Sequence, residues 1–465
     1  MKAEGFPGRG LLSRNSMNKE LLEEFATGIV RQALQSGASA AEAVVRQRTE
    51  FSVGVRLGEV ETLEESADEG FGLRVLIDGR QASVSGSDLS PEAIASLVKQ
   101  AIMLARATSP DDSAGLPDPD LLARVVPDLE LYDLAVETLP TEEKIQLALR
   151  AEAAAREVSP KITNSDGGGF DTSTGVAVLA NSLGFVGSYS GTTCSLTTVP
   201  VASDGEKMQR AYWYDVRRKL SELESPEEIG RVAAERALRK LGARPVETQS
   251  VPVVFEPTLA RELLGDIFQA VSGESVFRKA SFLVGQLGER VAVDSLTVVD
   301  DGQMPGKLGS RPFDSEGLPT RRTVVIRNGI LENYLLNTYT GRKLGLKSTG
   351  NASRALVGAP GVGAGNMFIE PGTKSPEEII KSLSKGFLVT ELLGFGVNIV
   401  TGDYSRSASG IWIESGELTF PVQGVTVAGN LKEMLNSIEI IGNDLDFRGS
   451  LASPTLLIGS MTVSA

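Results

Sequence analysis

Phe71-Gly72-Leu73-Arg74-Val75-Leu76-Ile77-Asp78-Gly79-Arg80-Gln81-Ala82-Ser83-Val84 sets strand-forming residues on both sides of an Asp-Gly pair. That dipeptide best fits a type I′ hairpin turn, whose two central residues take positive φ. With the alternating stretch from Ala43 to Leu57, this region reads as antiparallel sheet. Ahead of it, residues 18–35 carry Leu21, Leu22, Phe25, Ile29, Val30 and Leu34 at helical spacing and stop at Ser36-Gly37, where glycine suits a C-terminal cap. Behind it, Ser90-Pro91-Glu92 supplies a capping hydroxyl, a first-turn proline and an acid before an apolar-periodic segment that reaches Ala107. The same signal recurs at Ser225 and Ser375, too far apart to be a solenoid repeat.

Residues 109–127, rich in Pro, Asp and Gly, read as a surface loop, and residues 141–158 as a helix. A hairpin is expected over 175–190, turning at 181–184 and continuing as strand through 192–201. The helix from Ser225 ends at Leu241-Gly242, and Ala243-Arg244-Pro245 is the expected boundary between two halves. The second half opens with a strand at 251–255 and a helix at 257–271. Hairpins are expected over 323–334, turning at Asn328-Gly329, and over 410–422, turning at Ser415-Gly416. Asn430 can cap a helix over 431–438, and 454–463 reads as a closing strand. Strands cluster instead of alternating with helices, so the class is α+β. The expected organisation is a flexible tail at 1–16, with Met17 a candidate start residue. An N-terminal α/β sandwich-like domain with an antiparallel sheet follows at 17–244, and a strand-rich C-terminal domain at 245–465.

The composition limits the chemistry. There is no histidine and only one cysteine, Cys194, so neither a histidine-based zinc site nor a histidine-dependent triad can be built, and no intrachain disulfide forms. The 465 residues suffice for two or three domains, and no run nears the roughly 18–20 apolar residues of a membrane span. The N-terminus has only Leu11-Leu12 as an apolar pair and lacks the core of a secretory signal, so a cytoplasmic protein with no membrane partner is expected. Net charge is −14, which disfavours direct nucleic-acid binding; the clusters 217–219 and Arg321-Arg322 are short enough to be solvated surface.

Candidate sites are sparse. Glu256, Glu262 and Asp266 gather around one helix and could hold a hard cation or form a solvated acidic helix start. Ser382-Leu383-Ser384-Lys385 has Ser-x-x-Lys spacing but falls in the helix begun by Ser375. Phe170-Asp171-Thr172-Ser173 resembles an aspartic-protease loop without its glycine or a second copy. The glycine-rich run 358–365 lacks the Lys-Thr pair of a phosphate loop and reads as a flexible or peptide-contacting loop. Residues 402–410, Gly-Asp-Tyr-Ser-Arg-Ser-Ala-Ser-Gly, pack six hydrogen-bonding side chains into a loop leading to a strand, which suits recognition of an extended backbone or a self-satisfied polar loop.

In order, the segments Glu69-Gly70-Phe71-Gly72-Leu73-Arg74-Val75, Ser272-Gly273-Glu274-Ser275-Val276, 302–318, Val389-Thr390-Glu391-Leu392-Leu393-Gly394, the 402 loop and Ala428-Gly429-Asn430-Leu431 resemble the TldD/PmbA family, once called modulators of DNA gyrase. The resemblance covers nearly everything from Asn18 onward. It implies two kinds of subunit that together form a cytoplasmic metalloprotease, which trims precursor peptides and degrades unfolded substrates, with zinc in the TldD type alone. That type carries a His-Glu-x-x-x-His helix followed by Gly-Asp, and a C-terminal cysteine ligand. Aligning on Gly265-Asp266 puts Glu256 and Arg261 at the histidine positions and Pro257 at the general base, while Gly442-Asn443-Asp444-Leu445 runs into Arg448-Gly449-Ser450 without a cysteine.

The resemblance therefore implies a PmbA/TldE-type subunit with a degenerate metalloprotease helix and no catalytic residue or metal of its own. Its expected partners are a zinc-bearing TldD-type subunit and an extended or unfolded peptide, and a homodimer is expected when it is isolated. Tyr404 and Arg406, with Glu391 behind them, are the candidate peptide or partner contacts. The rival readings are a non-enzymatic homodimeric modulator of a topoisomerase or toxin–antitoxin system, and an independent hydrolase using the carboxylates around Glu256 and Asp266.

Overall fold

The hairpin at Asp78-Gly79 forms as the sequence demands in a computed structural model that describes residues 18–464. The expected tail at 1–16 and the candidate start Met17 lie outside these residues. Strands β1 (Ala40–Arg56), β2 (Glu59–Ile77) and β3 (Arg80–Gly86) run antiparallel, and Asp78 takes the positive φ of +49° that the tight turn requires. β4 (Ile162–Asn181), β5 (Val186–Ser203), β6 (Met208–Arg210) and β7 (Trp213–Arg217) complete the sheet in the order β3-β2-β1-β4-β5-β6, with β7 also on β5. β2 starts earlier than its apolar alternation suggests, because residues 59–68 are solvent-exposed and need no buried face.

Four helices cover one face of this sheet: α1 (Lys19–Gln35), α2 (Pro91–Ala107), α3 (Thr141–Glu157) and α4 (Pro226–Leu238). Successive strand residues point to opposite faces, so Ala41, Ala43 and Val45, buried with α1 and α2, share a side with Phe51 and Val53, buried with α3 and α4. The starts of α2 and α4 obey their sequence signals: the Ser90 and Ser225 hydroxyls accept the Ala93 and Glu228 amides at 3.3 and 3.2 Å, each ahead of a first-turn proline. On the opposite face Val44, Leu179 and Phe185 pack against Phe313 from the second half.

The second half contains a closed barrel. Its strands are β8 (Gln249–Phe255), β9 (Lys385–Leu393), β10 (Asp403–Glu414), β11 (Glu417–Asn430), β12 (Ile438–Ile441) and β13 (Leu456–Ser464), in the order β11-β10-β9-β8-β13-β12. A further β11–β13 pairing closes the ring, which leaves fewer free edges. A smaller sheet (Val298–Asp301, Arg322–Arg327, Ile330–Leu331, Asn366–Ile369, Leu451–Ala452) shares one core with the barrel, and helix α5 (Pro257–Val271) packs into that core through Leu259, Leu263, Leu264, Ile267 and Val271.

Three expectations need correction. The 402–410 segment is strand from Asp403 onward: Tyr404 and Ala408 point inward and Ser405 and Ser407 outward, a period-two pattern hidden by small polar residues. The helix begun by Ser375 ends at Lys381, so Ser382–Lys385 straddles a helix end and a strand start; the Ser382 hydroxyl donates to the Ile379 carbonyl and Lys385 lies over the Trp412 ring. The helix after Asn430 ends at Asn436, and Ile438 opens β12.

The halves are docked through the motif that opens the sequence. A Cβ on Gly72 would lie 1.6 Å from the Leu356 carbonyl oxygen, so only glycine lets the 352–358 segment lie against β2. In the same segment Arg354 donates to Glu42 at 2.6 Å, Arg74 donates to Glu42 at 3.0 Å, and Arg46 donates to the Arg354 carbonyl at 2.7 Å. Glu42, Arg74 and Arg354 are all buried, so the contact is a desolvated charge cluster between the halves.

Candidate functional site

β8 ends at Phe255 and α5 begins two residues later with Pro257 in its first turn, so Glu256 sits at the corner. Its carboxylate accepts from Arg236, from Arg239 at 3.3 Å and from the Thr258 hydroxyl at 3.0 Å. Both arginines come from α4 and the residue just beyond it, which places the first half against the start of α5.

A cleft of about 180 Å³ opens there, lined by Trp213, Arg236, Glu256, Pro257, Arg261 and Arg448 among others. Arg448 stacks on Trp213 at 4.4 Å, donates to Glu224 and to Asp446 (2.7 Å), and lies 3.8 Å from the buried Asp215. Arg217 reaches Asp446 at 3.1 Å and the Phe447 carbonyl, so the 446–448 turn is tied to β7. Arg261 lies over the Tyr214 ring at 5.7 Å.

A second cleft of about 210 Å³ shares Arg236 and Thr258 with the first and is lined by Tyr212, Arg239, Lys240, Glu262 and residues 390–393. β9 pairs with β8 only up to Val389, opposite Phe255. Beyond that point its inner edge faces this cleft, and Arg236 takes the Thr390 carbonyl at 3.3 Å.

The candidate contacts are scattered. Tyr404 is 2% exposed and belongs to the barrel core, where burial pushes its hydroxyl up from the ordinary range. It does not reach solvent as a peptide contact would. Arg406 is ion-paired to Glu262 on α5. Glu391 accepts from Lys240 at 2.9 Å and lines the second cleft. Asp266 is pushed up to about 6 by burial, a rise opposed by Arg406 and reinforced by Glu262.

Glu256, Glu262 and Asp266 do not converge: Glu256 faces the arginines of the first half and Glu262 faces Arg406. Among the described residues no three His, Cys, Asp or Glu side chains are grouped to hold a metal. Asp171 accepts from Ser52 and Ser195 on the sheet surface. In the glycine-rich run, the Gly365 amide donates to Asp300 at 2.7 Å. Trp213, Tyr214, Arg236 and Arg239 belong to no motif in the sequence, and Arg448 enters one only within Arg448-Gly449-Ser450. Their only signal there is an aromatic triplet, 212–214, and basic residues that converge through the fold.

Three family models match the chain in succession: PmbA/TldA metallopeptidase domain 1 over residues 41–105, the central domain over 135–241 and the C-terminal domain over 248–465. The chain belongs to the PmbA/TldA metallopeptidase family. Metalloprotease PmbA of Escherichia coli O157:H7 is 40% identical over 455 residues, 98% of both chains. A Metalloprotease PmbA homolog of Haemophilus influenzae is 36% identical over 444 residues, 95% of this chain and 96% of the other. The crystal structure of a proposed modulator of DNA gyrase from Bacteroides thetaiotaomicron superposes with a TM-score of 0.88 at 30% identity, covering 95% of this chain and 98% of that one. TldE from Thermococcus kodakarensis shares the fold, with a TM-score of 0.86 at 24% identity over 95% and 100% of the two chains.

A metallopeptidase family implies a metal, and the α5 site does not fit one. Zinc needs three or four converging nitrogen, sulfur or carboxylate donors. Here the start of the helix presents Glu256, already engaged by two guanidiniums, a proline with no side-chain donor, and Arg261, whose charge repels a cation, while Glu262 farther along is paired with Arg406.

Proposed function

We propose that this PmbA/TldA-family chain is the PmbA/TldE-type subunit of a cytoplasmic two-component metalloprotease, itself without zinc, paired with a TldD-type subunit that supplies the zinc-activated water. The observation that carries this reading is the start of α5, where the Glu256 carboxylate is tied to Arg236 and Arg239 and the same cleft carries the cation Arg261. The substrate is an extended or unfolded peptide. Past the Thr390 carbonyl that Arg236 takes, the edge of β9 at 391–393 offers main-chain groups for pairing with it, and Glu391 and Lys240 flank that edge.

Consistent with a cytoplasmic role, no helix among the described residues is long and apolar enough to cross a membrane. The test is to purify the chain alone and together with a TldD-type protein, then count metal by mass spectrometry. The expected result is a stable complex with one zinc per pair and no stoichiometric metal on this chain alone. Stoichiometric zinc on the isolated chain, or no complex, overturns the reading.

A further inference from the structure

The cleft at the start of α5 contains one cation, Arg261, that no acidic side chain among the described residues neutralises. Arg236 is engaged by Glu256 and the Thr390 carbonyl, and Arg448 by Glu224 and Asp446. These pairings also occupy Glu256 and Asp446, the two acids of the lining. Arg261 makes no hydrogen bond or ion pair with any described residue; its guanidinium is held only by the Tyr214 ring, at 5.7 Å. It projects from the second turn of a 15-residue helix, whose partial positive end adds to the same field.

We propose that this cleft is a carboxylate-binding subsite in which Arg261 receives an acidic group of an extended peptide. The proposal rests on the peptide-holding role above and names the chemistry of what is held. A guanidinium offers a planar fork of donors that matches the two oxygens of a carboxylate, and here the donors of Arg261 are free for it, with the Tyr214 ring 5.7 Å away. The space, about 180 Å³, suits one residue and lies below the roughly 300 Å³ at which sites for whole small ligands begin. Trp213 provides an apolar wall, and the unengaged positive charge discriminates against basic residues. With a net charge of −14, an acidic peptide is repelled by most of the surface, so binding concentrates where the excess charge is positive. The carboxylate can come from a peptide C-terminus or from an Asp or Glu side chain.

The experiment is fluorescence anisotropy on the full chain with three hexapeptides of otherwise identical neutral sequence, labelled with an uncharged dye such as BODIPY. One ends in a free carboxylate, one in an amide, and one in an amide with a single internal Glu. The expected result is about tenfold tighter binding of at least one carboxylate peptide than of the neutral amide. Whichever of the two binds more tightly identifies the source of the group. Arg261→Met removes the preference and Arg261→Lys keeps part of it, with thermal midpoints unchanged because Arg261 has no polar partner to lose. Equal binding of all three peptides, or a preference that survives Arg261→Met, overturns the carboxylate assignment alone. No binding of any peptide overturns it together with the peptide-holding role.

Discussion

Replacing Gly72 by alanine probes the contact that sets the two halves against each other and so shapes the cleft between them. The new Cβ would stand 1.6 Å from the Leu356 carbonyl oxygen, 2.6 Å from its carbonyl carbon and 3.2 Å from its Cα. Carbon and oxygen without a covalent bond approach to about 3.3 Å, so the 352–358 segment must retreat by about 1.7 Å. Backbone on both sides leaves no flexible side chain to absorb the move. Overpacking of this kind costs about 1–3 kcal/mol. The retreat also pulls Arg354 away from Glu42, both of them buried, and breaking such a pair costs about 3–5 kcal/mol by itself. Either term is a large part of the roughly 5–15 kcal/mol that holds a typical domain folded. Urea unfolding followed by fluorescence of Trp213 and Trp412, one in each half, measures the effect. Gly72→Ala is expected to lower the midpoint strongly. Gly265→Ala, whose Cβ would meet only Leu451 at 3.6 Å on a helix, is expected to be neutral or stabilising by up to about 1 kcal/mol. A Gly72→Ala protein with the wild-type midpoint would refute the docking argument.

Glu256→Gln keeps the acceptor for Thr258 but leaves Arg236 and Arg239 side by side without a counter-charge. Because the three side chains are partly exposed, the expected loss is about 1–3 kcal/mol, less than for a fully buried pair, and it should shrink at high salt. Denaturant titrations at low and high ionic strength measure it, and a salt-independent loss would point to packing instead. Glu316, buried behind the domain junction, is pushed up to about 8 by burial and then by the Asp314 charge. A carboxyl raised in the fold favours its protonated form, so its stabilising effect is complete below about 4.5 and is lost as pH climbs through 8. The wild-type unfolding free energy should therefore fall from about pH 5 to pH 8, at up to about 1.4 kcal/mol per unit, and level off above that range. Glu316→Gln, which can still accept the Thr338 amide, should flatten that fall, and parallel curves would rule out Glu316 as its source.

What could be read from sequence follows how local each signal is. The Ser-Pro-Glu starts at 90, 225 and 375 and the Asp-Gly, Asn-Gly and Ser-Gly turns are decided by neighbours within four residues, and they form as expected. The strand at 403–410 was masked because its outward residues are serines and its inward ones include Arg406, whose charge is satisfied by Glu262 on a helix 144 positions earlier. Tyr404 reads as a surface contact for the same reason, and the fold places it in the core. Glu256 and Arg261 could be located on their helix from sequence. That Glu256 is clamped by Arg236 and Arg239, while Arg261 is left with an aromatic ring, depends on α4 and β7 folding back onto α5, which no local pattern encodes.

Under the proposed division of labour, peptide cleavage requires a second, zinc-bearing subunit, and an unfolded reporter peptide tests this. The chain, a TldD-type protein and their mixture are assayed side by side, with and without a chelator. The expected result is no cleavage by the chain alone, cleavage by the mixture, and loss of that cleavage on chelation. Cleavage by the purified chain alone would contradict it.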